Sequence, residues 1–210
     1  PVNSYLKADE LAYIVQNSES RVLITSQSRR DVAIEAAAMC PKLELCLIVD
    51  GTGNDGPFLD YVTETSKHPS TPVENESLGV SMLYSSGTTG RPKGILRPLQ
   101  DSAPDTPLPL WGFLDGLWKY RDGMTYLSPA PLYHSAPQAA VGLTLRRGGT
   151  VVIMEHFDPE DYLRLVEKYK VTHSQLVPTM FSRMLKLPTD IRTKYDLSSL
   201  EIAVHAAAPC

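Results

Sequence analysis

Residues 82–94 read Met-Leu-Tyr-Ser-Ser-Gly-Thr-Thr-Gly-Arg-Pro-Lys-Gly, an apolar run that passes into hydroxyls and glycines and then a lysine. Glycine lets backbone N–H groups approach an anion closely and tolerates positive φ. Hydroxyls donate to phosphate oxygens, and lysine adds a compact positive charge. Ser85, Ser86, Gly87, Thr88, Thr89, Gly90 and Lys93 are therefore a candidate phosphate cradle. The segment is not a Walker A loop. That pattern, counted from Gly87, needs glycine where Pro92 stands and Ser or Thr where Gly94 stands. An ordinary nucleoside triphosphatase thereby loses its main support. A surface turn draws on the same residue types, but the unbroken run closing on Pro-Lys-Gly favours the cradle.

Other motifs carry less. Gly51, Gly53 and Gly56 match a dinucleotide fingerprint letter for letter, but Pro57 follows where a long helix should begin, and Asp50 and Asp55 would set negative charge beside a phosphate. We read them as a turn. The five histidines, His68, His134, His156, His173 and His205, show no metal-ligand spacing, and no metal site is assigned. His134 stands out through its setting, Pro129-Ala130-Pro131-Leu132-Tyr133-His134-Ser135.

The elements that must position these residues alternate in type. Strands are expected at Arg21–Thr25, Leu45–Val49, Val80–Tyr84, Thr125–Leu127, Thr150–Met154, Thr172–Leu176 and Leu200–Val204. Helices are expected at Ala8–Asn17, Arg30–Met39, Pro109–Lys119, Ala136–Arg146, Pro159–Tyr169 and Pro178–Leu187. This alternation predicts an α/β fold with a mainly parallel sheet flanked by helices. Asp158-Pro159 is a helix-start signal, and Arg146-Arg147-Gly148-Gly149 a helix stop. Gly51–Glu76 and the Arg97–Pro109 stretch, with its four prolines, read as surface loops.

Composition bounds the function. Charged residues make up 21% of the chain, and 20 basic against 24 acidic side chains give a net charge of −4, which argues against a nucleic-acid binder working through bulk positive charge. No apolar run reaches the roughly 18–20 residues of a membrane span. Cys40, Cys46 and Cys210 support neither a disulfide framework nor a zinc knuckle and read as small buried or terminal thiols. A cytoplasmic setting is the expectation. The Pro1-Val2-Asn3 opening and the strand at Leu200–Val204, lying so near Cys210, suggest a piece of a longer chain, truncated at both ends.

The 82–94 segment closely resembles the phosphate-binding signature of the adenylate-forming superfamily, which includes acyl- and aryl-CoA synthetases, firefly-type luciferases and adenylation domains of peptide synthetases. The resemblance extends over most of the chain. Pro1-Val2-Asn3 with Leu6, Glu10-Leu11-Ala12-Tyr13-Ile14 and Arg21-Val22-Leu23-Ile24 are similar to the approach to that signature. Pro129 to Ser135, Val177-Pro178-Thr179-Met180 and Ala206-Ala207-Ala208-Pro209 resemble three downstream segments, and the Arg97–Pro109 loop with Tyr126 to Pro129 looks most like bacterial fatty-acyl-CoA synthetases.

The resemblance implies residues 1–210 to be part of an N-terminal AMP-binding domain, without the C-terminal domain. It implies an ATP-dependent ligase in which a carboxylic acid, of the fatty-acid class, attacks the α-phosphate and the acyl adenylate passes to coenzyme A. Ser85 through Gly90 with Lys93 would hold phosphates; Tyr133, His134 and Thr179 would border the acyl pocket; Ala206, Ala207, Ala208 and Pro209 would lie against adenine. ATP, Mg²⁺ and coenzyme A are the implied cofactors and co-substrates. The family's catalytic lysine falls beyond residue 210, so the isolated piece should be weakly active or inactive. Ala136, Ala139, Val141 and Met180 could line a hydrophobic acid's site, and helix-core packing explains them equally well. An adenylation domain loading an aryl or amino acid onto a carrier protein, and a non-catalytic nucleotide-binding module, are the alternatives.

Overall fold

The computed structural model describes residues 1–53, 55–85, 91–107 and 109–206. The chain divides into two compact units, Val2–Thr106 and Pro107–Cys210, with Pro1 grouped with the second.

In the first unit, α1 (Ala8–Asn17) starts where the Glu10 carboxylate accepts the Lys7 backbone N–H at 2.8 Å, and it buries Ala8, Ala12 and Val15 at helical spacing. β1 (Val22–Ser26), β2 (Leu45–Val49) and β3 (Leu59–Asp60) form a parallel sheet, with Val22 opposite Leu45 and Leu47 opposite Leu59. One face, carrying Leu23, Cys46 and Ile48, is packed by α1 and α2 (Arg30–Ala38) through Ala12, Val15, Ala33, Ala36 and Cys40. The opposite face leaves Val22, Ile24, Leu45 and Leu59 exposed. Cys40 and Cys46 are free buried thiols, as expected, whereas Cys210 lies outside the described residues.

The glycine-rich turn after β2 is structural. Gly53 and Gly56 have φ of 85° and 64°. Asp55, read from sequence as a charge unfriendly to phosphate, is buried. Its carboxylate accepts the Arg30 Nε–H at 2.7 Å and the Thr52 backbone N–H at 2.8 Å. The expected loop Gly51–Glu76 contains β3 and a short helix, α3 (Tyr61–Thr65), which begins because Asp60 accepts the Thr63 N–H at 2.7 Å. The expected strand Val80–Tyr84 forms only as β4 (Leu83–Ser85), antiparallel to β5 (Lys93–Ile95). Residues 80–82 stay outside it because pairing with β5 ends at Leu83 opposite Ile95.

The second unit contains α4 (Pro109–Trp118), β6 (Thr125–Ser128), α5 (Ser135–Arg146), β7 (Thr150–Ile153), α6 (Pro159–Tyr169), β8 (His173–Leu176), α7 (Pro178–Leu185), α8 (Thr189–Arg192) and β9 (Ile202–His205). Its four strands are all parallel, in the order β7-β6-β8-β9. Both faces are covered, which parallel sheets require. Tyr126 packs with Met124, Ala140 and Leu143 beneath α4 and α5, while Leu127 and Leu176 pack with Tyr162, Leu163 and Val166 beneath α6 and α7. The helix signals act as read. Asp158 accepts the Asp161 N–H at 2.8 Å ahead of Pro159, and Gly148 takes φ of 64° after α5. Gly149 has no room for a side chain, since a Cβ there would sit 2.8 Å from the Met124 carbonyl oxygen.

The α/β expectation holds, and among the described residues the strands pair in parallel outside the β4–β5 hairpin, shared among three sheets, with one isolated antiparallel bridge between Asp55 and Phe58. α7 stops at Leu185, short of the expected Leu187, and Pro188 then leads into α8, which sequence inspection missed.

Candidate functional site

The hairpin frames the phosphate-type segment. Ser85 and Lys93 are the last paired residues of β4 and β5 before residues 86–92, so their side chains share one face of the ribbon, and both are exposed. Ser86, Gly87, Thr88, Thr89 and Gly90 lie outside the described residues. Gly94 stands opposite Tyr84, and a Cβ there would meet Met82 Cε at 2.3 Å and Tyr84 Cζ at 3.0 Å, so a larger residue would have to displace the Met82 side chain.

What holds the hairpin was not foreseen. The Tyr13 hydroxyl donates to the Pro92 carbonyl at 3.1 Å, and the Arg91 guanidinium lies 5.1 Å from the centre of the same ring. The Tyr84 hydroxyl donates to Asn17 Oδ1 at 2.7 Å. Burial pushes the Tyr84 phenol above its ordinary pKa, so it remains a donor at neutral pH. Both arms are thus pinned to α1. In sequence Tyr13 stood only within the expected helix Ala8–Asn17 and the Glu10-Leu11-Ala12-Tyr13-Ile14 stretch of the resemblance; a lone tyrosine there was the available signal.

The other candidates gather at the carboxyl edge of the four-stranded sheet. Tyr133 and His134 follow β6, Thr179 is the second residue of α7 after β8, and Ala206 follows β9. The Tyr133 and His134 ring centres are 4.4 Å apart. His134 is exposed and is the N-cap of α5, with its backbone N–H donating to the Pro131 carbonyl at 3.2 Å. Thr179 is exposed, and the Ala206 N–H donates to the Leu176 carbonyl at 3.4 Å. Ala207, Ala208 and Pro209 lie outside the described residues. Val141 and Met180 are half-buried and pack against the two cores.

Topology explains why this edge can bind a ligand. From β6 the chain crosses through α5 to β7 on one side, then through α6 to β8 on the other side of β6. The strand order reverses between β6 and β8, with α5 and α6 on opposite faces. Such a reversal leaves a crevice at the carboxyl ends of the strands, where ligands of open α/β sheets sit. His173 serves differently. It is buried, Nδ1 is 2.8 Å from Thr172 Oγ1 and Nε2 is 3.2 Å from the Lys119 carbonyl oxygen, while burial lowers its pKa. Among the described residues no three His, Cys, Asp or Glu side chains gather as a metal site, and no helix is long and apolar enough to cross a membrane.

The family model for AMP-binding enzymes matches residues 1–210. The chain belongs to the AMP-binding enzymes. Among the curated relatives of this AMP-binding chain, the medium/long-chain-fatty-acid–CoA ligase FadD8 of Mycobacterium tuberculosis is 32% identical over 154 residues, covering 71% of the chain and 26% of the relative. 4-Coumarate–CoA ligase 1 of Petroselinum crispum is 28% identical over 210 residues, covering 99% of the chain and 38% of the relative. The inhibitor-bound N-terminal domain of FACL13 from Mycobacterium tuberculosis superposes with a TM-score of 0.77 at 23% identity, covering 100% of the chain and 50% of that structure. The AMP-binding chain therefore shares its fold with such a domain and spans well under two thirds of each of these proteins.

Proposed function

We propose that residues 1–210 form part of the N-terminal domain of an ATP-dependent acid–thiol ligase, which activates a carboxylic acid as its adenylate and transfers the acyl group to coenzyme A. The observation that carries this reading is the pairing of Ser85 with Lys93 at the mouth of a hairpin whose intervening sequence is rich in hydroxyls and glycines. A carboxylate oxygen attacks the α-phosphorus, pyrophosphate leaves, and the coenzyme A sulfur then displaces AMP from the acyl carbon. Phosphoryl transfer spreads negative charge over oxygens, so fixed donors and a cation are what the protein must supply. Ser85 and Lys93, with residues 86–90, are assigned to the β- and γ-phosphates. Mg²⁺ would supply charge neutralisation at the phosphates when the nucleotide binds.

Tyr133, His134 and Thr179 are assigned to the acid, and Ala206 to Pro209 to the adenine side. A fatty acid is our leading substrate, a reading supported by the name of the Mycobacterium tuberculosis relative. The buried free thiols Cys40 and Cys46 suit a reducing compartment such as the cytoplasm. The test is carboxylate-dependent exchange of pyrophosphate into ATP by the full-length protein that carries this segment, using fatty, aromatic and amino acids. Stimulation by fatty acids supports the ligase. Stimulation by amino or aryl acids alone moves the assignment to carrier-protein loading, and no exchange from a folded, ATP-binding protein leaves a non-catalytic nucleotide module.

A further inference from the structure

The last turns of α1 and α2 converge on a cavity that the phosphate hairpin does not use. Its volume is about 420 Å³, within the range of small-molecule sites. Val15 on α1 and Met39, Pro41 and Leu43 at the end of α2 give it apolar walls. Cys40, buried in the same wall, donates its S–H to the Ala12 carbonyl at 3.7 Å, and burial raises its pKa, so it offers a neutral sulfur that is already engaged. Gln16 ties the two helices together here, its Nε2 amide donating to the Met39 carbonyl at 2.5 Å.

The charges at this cavity are what its own fold leaves unserved. Glu19 closes α1 with φ of 53°, in a turn where its N–H donates to the Gln16 carbonyl at 3.1 Å and the Ser20 N–H to the Val15 carbonyl at 3.0 Å. That left-handed position usually belongs to glycine, so a carboxylate stands there against local preference. Lys42 brings an ammonium to the same cavity. Both side chains are exposed, and neither forms an ion pair among the described residues, with the other or with a third group. One residue further along each segment, Arg21 and Glu44 do pair, at 2.5 Å.

We propose that this cavity binds a small zwitterion with an apolar body, an amino acid whose ammonium meets Glu19, whose carboxylate meets Lys42 and whose carbon skeleton lies against Val15, Met39 and Leu43. Charge selects the class. A simple acid would set apolar carbon against the Glu19 carboxylate, and a simple amine would do the same to Lys42. The C-terminus of α1 adds partial negative charge at the Glu19 end, which favours the ammonium there.

α1 also joins the cavity to the hairpin. Val15, Gln16 and Glu19 line the cavity. Tyr13 and Asn17, four residues apart on the other side of the helix, hold the Pro92 carbonyl and the Tyr84 hydroxyl, and the Ile14 carbonyl accepts from Tyr84 at 3.5 Å. An occupant that fixes the last turn of α1 against α2 therefore fixes the acceptors of the Tyr84 hydroxyl, and acts as an effector that tightens nucleotide binding. This second role rests on the phosphate reading of the hairpin.

Calorimetric titration of the full-length protein without nucleotide tests the site. The ligands are leucine, phenylalanine and ε-aminocaproate, beside N-acetylleucine, which lacks the ammonium, and leucinamide, which lacks the carboxylate. Leucine or phenylalanine as the tightest ligand identifies an α-amino acid, and ε-aminocaproate an extended one. The intact zwitterion should bind about tenfold or more tighter than either neutralised analogue, the scale of one charge-assisted hydrogen bond. Glu19→Gln should erase the margin over N-acetylleucine, and Lys42→Met the margin over leucinamide, with the fold kept because both side chains are exposed. Saturating zwitterion should lower the ATP dissociation constant by about fivefold or more, an effect that Tyr84→Phe abolishes without changing the zwitterion's own affinity. No saturable binding at millimolar concentration, or equal binding of the neutralised analogues, would overturn the site. Unaltered ATP affinity with the zwitterion bound would overturn its role as effector. If Lys93→Ala left ATP binding unimpaired, the phosphate reading and the coupling would fall together, and the titration without nucleotide would still decide the site.

Discussion

The two units present polar chemistry in opposite ways. In the first, Ser85 and Lys93 stand exposed on a short hairpin, held to α1 by the hydroxyls of Tyr13 and Tyr84. In the second, the candidate residues close the strands of a sheet packed on both faces, with Leu127 fully buried and Ser128 beside it. The hairpin rests on a few bonds that can break without exposing a core. The sheet edge cannot move without disturbing one. This division suits the proposed chemistry, in which pyrophosphate must leave while the acid stays in register.

The sharpest test of the contrast is to remove charge from the hairpin and volume from the sheet. Lys93→Ala should lower pyrophosphate exchange by about 10²–10³-fold, the usual cost of deleting one fixed charge-stabilising group, with no change in melting temperature because the side chain is exposed. Leu127→Ala should do the reverse, costing about 2–5 kcal/mol of stability by opening a cavity. Denaturant midpoints for the two variants decide it. Ile24→Ala, on the exposed face of the first sheet, is the control and should stay within about 0.5 kcal/mol of wild type.

Legibility in the sequence divides along the same line. α1 and α6 were readable to the residue because apolar spacing and caps such as Asp158-Pro159 are local. The phosphate-type segment is a candidate through its composition, and of it the structure places Ser85 and Lys93 as a pair. β5 was not readable, since Lys93-Gly94-Ile95 has no strand pattern of its own and exists only through pairing with β4. Tyr13 as a hairpin anchor depends on a contact across 79 residues, which spacing cannot show. Ser128 fell outside the expected strand Thr125–Leu127 and Gln175 inside Thr172–Leu176, and the face each takes depends on the register between β6 and β8, which spacing does not show.

A smaller effect separates the units by pH. Burial alone would raise the Asp55 pKa, but the Arg30 guanidinium and the Thr52 and Gly53 N–H groups outweigh it and hold the carboxylate below its ordinary value. A depressed folded-state pKa contributes stability above the unfolded value, near 3.9 by reference, and loses it as pH falls through the folded value. Asp55→Asn should therefore speed amide exchange around residues 51–58 at neutral pH, leave the second unit's core amides unchanged, and converge with wild type in acid. A uniform loss of protection in both units would show that the turn is not a local device.

The smallest effect probes the hairpin's tether. Tyr84→Phe removes the donor to Asn17 Oδ1 at 2.7 Å, with its longer contact to the Ile14 carbonyl at 3.5 Å, while keeping the ring that packs against Gly94. Such a bond contributes about 0.5–1.5 kcal/mol. If the tether fixes where the phosphate segment sits, that loss should appear as a fall of up to about tenfold in exchange at subsaturating ATP, with the acid's KM unaltered. Adding Tyr13→Phe, which releases the other arm, should lower exchange further by a similar factor, since the two anchors hold different strands. An equal fall in thermal stability with no kinetic effect would instead make both tyrosines part of the first unit's packing, and the contrast between a lightly held hairpin and a rigid sheet edge would lose its functional meaning.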